Sequence, residues 1–271
     1  MLTKLVSMDR RIVFILVALA VIIPMLVNVN LPVSTSAPTQ KLYDFVEALP
    51  KGSTIMLAFD YGPSSFPELS PMAKALLKQC FDKDIGVVAL TLVDDGTTLA
   101  STLIEEVAAE KNAENGEDFV FLGFRPGITQ VILGMGTEIK SVFDTDYYGK
   151  KLDEIPMMEN ITNYDQIDLL VDLASSNTTE AWIIYANVQY NLKIAAGVTG
   201  VMVSQMFPYL QTGQLNGLMS GILGAAEYEN LVEVQDKGMQ YINVNSFVHI
   251  LIVLLVIIGN IAYFTQRKRE E

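Results

Sequence analysis

Apolar residues crowd both ends of the chain, while the periodicity between them changes repeatedly. After Arg11 the next charged residue is Lys41, and within that gap 12–29 reads IVFILVALAVIIPMLVNV. A second apolar stretch lies between Lys237 and Arg267, and its core, 247–264, reads FVHILIVLLVIIGNIAYF. At about 1.5 Å per residue, helices of this length approach the roughly 30 Å of a hydrocarbon core. The pattern predicts two membrane helices, over 12–30 and 246–265. Pro24 is tolerable in such a helix as a kink. Asn260 reads as a helix-to-helix contact, and His249 as a wetted residue near the outer interface. A cleaved signal peptide competes for the first segment, because basic residues, an apolar run and the small residues Ser34 to Ala37 would suit it. The run is long for a signal sequence, which favours an uncleaved anchor.

Between the spans the pattern alternates. A small polar linker, VSTSAPTQ at 33–40, lies within a connecting segment at 31–40. Helical spacing follows over 41–49 and stops at Pro50-Lys51-Gly52. Short continuous apolar runs at 54–59, 86–92, 119–122, 167–173 and 193–197 read as buried strands. Amphipathic stretches at 67–81, 97–112, 128–143 and 179–190 read as the helices between them, and 205–211 and 214–231 as closing helices. The segment from Asp144 to Asp165 is irregular, either a lid or plain connection, with connection the commoner case. Such alternation predicts an α/β domain over 41–245: a doubly wound, mostly parallel five-stranded sheet, Rossmann- or flavodoxin-like.

Charge then adds a topology. Lys4, Arg10 and Arg11 precede the first span; Arg267, Lys268 and Arg269 follow the second. The positive-inside tendency puts both tails, 1–11 and 266–271, in the cytoplasm and exports the body between. Six of the 18 basic residues and three of the 31 acidic ones lie in the tails, so the tails carry +3 and the body −16. An acidic body excludes a basic nucleic-acid binder, which needs cations to neutralise phosphates. One Cys excludes an internal disulfide, and one His excludes a His-rich metal site.

In open parallel sheets, ligands bind beyond the carboxyl ends of the strands. Those ends are polar here. The candidate ligand-binding residues are Asp60, Ser64 and Ser65; Asp94, Asp95 and Thr97; Arg125; Ser175 and Ser176; and Thr199. The Asp residues suit a cation or hydroxyls, and Arg125 a carboxylate or phosphate. The competing reading makes Ser65, Asp95, Thr97 and Thr178 simple helix N-caps. Enzyme signatures are missing: the chain has no G-x-x-x-x-G-K-[ST] loop, no G-x-G-x-x-G and no G-x-S-x-G elbow. Cys80, beside Leu76 and Leu77, reads as a small buried hydrophobe. No catalytic residue, cofactor or metal is indicated.

Thirty-three positions, 194–226, carry no charge. Gly213, Gly217, Gly221 and Gly224 recur there, the first three at a spacing of four, which on one helix makes a smooth face for close helix approach. A third span, core packing and a subunit interface compete for this stretch; the four glycines are the candidate oligomer interface.

The phrases FDYGPSSFPEL, ILGMGTEIKSVF, YLQTGQLNGLMSGILGAAEYE and SFVHILIVLLVIIGNIAYF together resemble a poorly characterised group of prokaryotic membrane proteins. The resemblance implies a Rossmann-like domain between two terminal hydrophobic helices and brings no catalytic residue with it. The expectation is a two-pass, membrane-anchored protein whose extracytoplasmic domain binds a polar ligand or a partner. It would act as a homo-oligomeric scaffold, with the lipid bilayer and another membrane protein as partners. A membrane-bound hydrolase or transferase using the Asp-rich loops, and an accessory subunit of a transporter or secretion complex, are the alternatives.

Overall fold

The computed structural model describes residues 9–27, 31–234 and 236–270. The chain forms two compact bodies: Val33–Gly238, and Met1–Pro32 together with Met239–Glu271.

In the larger body a short N-terminal helix, α2 (Ala37–Glu47), precedes an alternation of strands and helices. They are β1 (Thr54–Asp60), α3 (Phe66–Asp82), β2 (Gly86–Thr91), α4 (Thr97–Lys111), β3 (Phe119–Phe124), α5 (Ile128–Thr137) and α6 (Ile139–Val142). Then come β4 (Leu169–Ala174), α7 (Thr178–Trp182), α8 (Val188–Tyr190), β5 (Ile194–Val198), α9 (Val203–Gln211), β6 (Leu215–Ser220) and α10 (Gly221–Leu231). The order across the sheet is β3-β2-β1-β4-β5-β6, and every neighbouring pair is parallel. This is a Rossmann-like arrangement, with the strand order reversing between β1 and β4.

Alternation along β1 explains the double winding. Ile55, Leu57 and Phe59 pack on one side with Leu42, Leu69, Leu76, Leu103 and Tyr228, from α2, α3, α4 and α10. Met56 and Ala58 pack on the other with Ile132, Met135, Trp182 and Met206, from α5, α7 and α9. A strand buried on both faces must be apolar nearly throughout. The segment 144–165 settles as connection. Thr145 and Lys151 form an isolated antiparallel bridge, and Leu152, Ile155, Met158, Ile161 and Tyr164 are buried in the second of these cores.

Three expectations are corrected here. The sheet has six strands, all parallel, where five were expected. The sixth lies inside the stretch read as a helix over 214–231, so the four glycines share no helical face. Gly213 sits in the turn before β6 at φ +78°, Gly217 lies within β6, and Gly221 and Gly224 belong to α10. The charge-free composition suits either element, and the four-residue glycine spacing mimicked a helical face. Each of the last three serves packing within the chain instead. A Cβ on Gly217 would stand 2.6 Å from Leu42 Cβ and 2.8 Å from its backbone nitrogen. Gly221 faces Gly200 and Glu68, and Gly224 faces Met219. The expected linker is also partly ordered as helix, because α2 opens at Ala37 with a proline in its first turn.

Both ends of the larger body are fastened to α10. The Ser36 hydroxyl donates to Glu227 Oε2 at 2.6 Å, and the Gly238 N–H donates to Glu229 Oε1 at 2.8 Å. Both glutamates are buried.

The smaller body holds α1 (Arg10–Leu26) and most of α11 (Lys237–Glu270). Asp9 caps α1 by accepting the Arg11 N–H at 3.0 Å. The Gln240 amide donates to the Met25 carbonyl at 3.4 Å, and the Leu31 N–H to Asn243 Oδ1 at 3.3 Å. Within α11, Lys237–Thr265 is long and apolar enough to cross a membrane; among the described residues it is the one helix that is. α1 is equally apolar but 17 residues long, ending where Val27 turns extended, short of the roughly 20 residues a span needs. The last three residues of the expected first span, 28–30, lie outside the described residues, as does most of the first tail.

Gly217→Ala should separate α2 from β6, because the added methyl meets backbone. A loss of about 1–3 kcal/mol is expected in denaturant unfolding of the full chain, as for other overpacked sites.

Candidate functional site

The carboxyl ends of the strands carry a crest of short connections. After β1 the chain makes a 3-10 turn, Pro63–Ser65, before α3; after β2 it makes another, Asp94–Gly96, before α4. The two turns interlock. A Cβ on Gly62 would stand 3.2 Å from Asp95 Cβ, and one on Gly96 would collide with the Phe59 carbonyl. Only glycine permits that approach. Across the switch point, the Ser175 N–H after β4 donates to the Asp60 carbonyl at 3.3 Å. The Thr199 N–H after β5 donates to the Ala174 carbonyl at 3.3 Å, and the Gly200 N–H to Glu68 Oε2 at 2.8 Å.

Ser64, Ser176, Asp94 and Asp95 are exposed on this crest, and Ser65, Thr97 and Ser175 are half-buried. The capping alternative fails for Ser65, Thr97 and Thr178. The N-cap position of α3, Ser65, makes no side-chain cap bond, and neither does Asn177 before α7. The Thr97 hydroxyl donates to the Asp94 carbonyl at 2.8 Å, and those of Thr178 and Thr179 turn inward. Arg125 stands apart from the switch point. It pairs with Asp144 at 2.9 Å and lies 5.7 Å from the centre of the Phe143 ring, on the β3 side. Nearby, a cleft of about 280 Å³ is lined by Lys140, Asp144, Thr145, Lys151, Leu152 and Asp153, and Lys140 and Asp153 pair across it at 2.7 Å.

Asp60 does not join Asp94 and Asp95 as a cation site. It is wholly buried, two residues past Ala58, which pairs in register with Asp172 of β4. Both carboxyls therefore lie on one face of the sheet, and both are fully buried. Leu92 N–H donates to Asp60 Oδ1 at 2.6 Å, and Trp182 Nε1–H to Asp60 Oδ2 at 3.2 Å. The hydroxyls of Thr179 and Thr178 donate to Asp172 Oδ2 at 2.6 and 3.3 Å. Asp172 Oδ1 is buried and receives no proton from any of these donors; with both carboxyls out of water on one face of adjacent strands, a proton on one of them spares the pair two facing charges. Burial pushes the Asp60 carboxyl up to about 6, opposed by the bonds from Leu92 and Trp182. Burial, followed by the charge of Asp60, raises Asp172 well above the ordinary carboxylate range. Two carboxylates at close quarters out of water cannot both ionise. N–H and O–H donors on both Asp60 oxygens and on Asp172 Oδ2 suit a protonated pair rather than a metal ion. Among the described residues no group of three His, Cys, Asp or Glu side chains is placed to hold a metal.

No protein-family model, curated protein or solved structure matches this chain. What the crest can do follows from its own chemistry: exposed hydroxyls and carboxylates above, a sealed acid pair below. Asp172, Thr179 and Trp182 escaped the sequence reading. Their signal was an acid inside the apolar run IDLLVDL, where a strand buried on both faces has no water to offer it. Cys80 is buried as expected, and burial pushes its thiol up to about 12.

Trp182→Phe keeps the ring and removes the donor to Asp60. A loss of about 1–3 kcal/mol is expected in denaturant unfolding, the penalty of an unsatisfied buried acceptor.

Proposed function

We propose that the chain is a membrane-anchored binding protein. α11 holds it in the bilayer, and the α/β body presents the crest to a polar small ligand or a partner protein. The observation that carries this is the division of polar groups at the switch point. Hydroxyls and carboxylates of Ser64, Asp94, Asp95 and Ser176 face solvent, whereas the acid pair beneath them does not. An acid or base that moves a substrate's proton must come within hydrogen-bond reach of it, and Asp60 and Asp172 are closed off. Binding is therefore favoured over hydrolysis or group transfer at this edge.

In this proposal α1 is a second span, both termini are cytoplasmic, and the acidic body is extracytoplasmic. Flanking Lys and Arg support that orientation. Assembly as a homo-oligomer, or with another membrane protein such as a transporter, draws support from exposed apolar side chains on the body. Val188 is 65% and Val201 83% exposed, with Phe207 and Leu223 about half exposed. The glycines of 213–224 take no part in that surface, apart from the open turn at Gly213.

Ser176→Cys in the full chain should be labelled in intact cells by a membrane-impermeant maleimide, with buried Cys80 leaving a low background. Labelling only after lysis would place the body in the cytoplasm and overturn the topology. Sizing in mild detergent should give a species larger than one chain; a single-chain species would remove the homo-oligomer from the proposal.

A further inference from the structure

Asp60 and Asp172 tie together more of the crest than any exposed residue does. Asp60 accepts from Leu92, at the end of β2, through its side chain, and from Ser175, after β4, through its carbonyl. Trp182 donates to it from the end of α7. Asp172 accepts from Thr178 and Thr179, where α7 begins. The connections after β1, β2 and β4 thus converge on two carboxyls. These donors take up both Asp60 side-chain oxygens, its carbonyl and Asp172 Oδ2, and Asp172 Oδ1 alone is left without one. A proton on Asp172, donated to Asp60, completes the cluster.

We propose that this pair is a proton-operated latch: one shared proton holds the connections after β1, β2 and β4 together, and its loss releases them. Without the proton, two negative charges face each other out of water, and the cheapest relief is for a crest connection to lift and admit solvent. The charged residues toward this end of the packed elements oppose early loss of the proton. They are Glu68 on α3, Asp94 and Asp95 after β2, and Glu180 on α7, all acidic. The uncharged Tyr164 ring packs edge-on against Trp182, with centroids 6.5 Å apart. Arg125, across β2 on the far strand, is held by Asp144.

The direction with pH follows from linkage. An aspartate in an unfolded chain ionises near 3.9, whereas burial raises Asp60 to about 6 and lifts Asp172 well above the ordinary carboxylate range. The folded chain thus binds protons that the unfolded chain has released. The pair's contribution is complete below about pH 4 and is lost as pH rises through about 6 and beyond. The latch is independent of what binds the crest, so its test leaves the proposed function untouched.

The test is hydrogen exchange in the full chain, in detergent, at about pH 5 and about pH 8, with rates corrected for intrinsic exchange. In the wild type, segments 61–65, 92–97 and 175–179 should exchange about tenfold faster at the higher pH, the factor that one unit of linkage supplies, while β3 stays unchanged. Asp172→Asn should abolish that difference, because its amide donates to Asp60 at any pH while its carbonyl accepts from Thr178 and Thr179. Equal corrected rates in the wild type, or a wild-type pH dependence surviving in Asp172→Asn, would overturn the latch. Should the variant not fold, infrared spectra of the wild type decide. A protonated-carboxyl band present at the lower pH and absent at the higher supports the latch; a band that persists at the higher pH sinks it.

Discussion

A carboxyl group removed from water must be neutral or paired, and here two of them lie at the middle of the sheet. β1 and β4 are the strands on which the doubly wound order turns, and each carries its aspartate on the same face. Charge neutrality at that junction organises its surroundings. It brings the Trp182 indole down onto Asp60, turns the Thr178 and Thr179 hydroxyls inward from the start of their helix, and draws in the Leu92 N–H from the next strand. Thr178 is lost as a cap for that reason. The crest is consequently built from the inside, with donors committed to buried acceptors and the remaining serines and aspartates left facing water.

Close approach of backbone is the second constraint. Gly96 against the Phe59 carbonyl locks the turns after β1 and β2 together, and Gly217 against Leu42 seats the N-terminal helix on the edge strand. An edge strand covered by a helix is shielded from pairing with another chain. The glycines that looked like a subunit contact therefore hold one chain to itself, and the exposed valines and Phe207 are what an assembly would have to use.

Most of the architecture was legible because buried parallel strands are short, apolar and bounded by turn residues. The runs TIMLAF and GVVALTL became β1 and β2 within a residue of their expected limits. β6 was not legible: LNGLMS has no charge to mark its ends, and glycines every four residues match a helical period as well as they match a strand packed on a helix. Asp60 was singled out for the wrong environment, as a loop ligand rather than a buried acid. Its partner Asp172 was passed over, because nothing local to IDLLVDL says which acid, Asp168 or Asp172, is buried. Only the pairing of β1 with β4 decides that: Asp168 accepts the Thr54 N–H at the amino end, and Asp172 faces the core.

The two buried glutamates on α10 have a mechanical side. The chain enters the α/β body beside Glu227 and leaves it beside Glu229, so both ends are moored within one turn of a single helix. Tension applied through either end reaches α10 before it reaches the sheet. Glu227 and Glu229 are thus lost together when α10 unravels, and with them the fastening of both ends of the body.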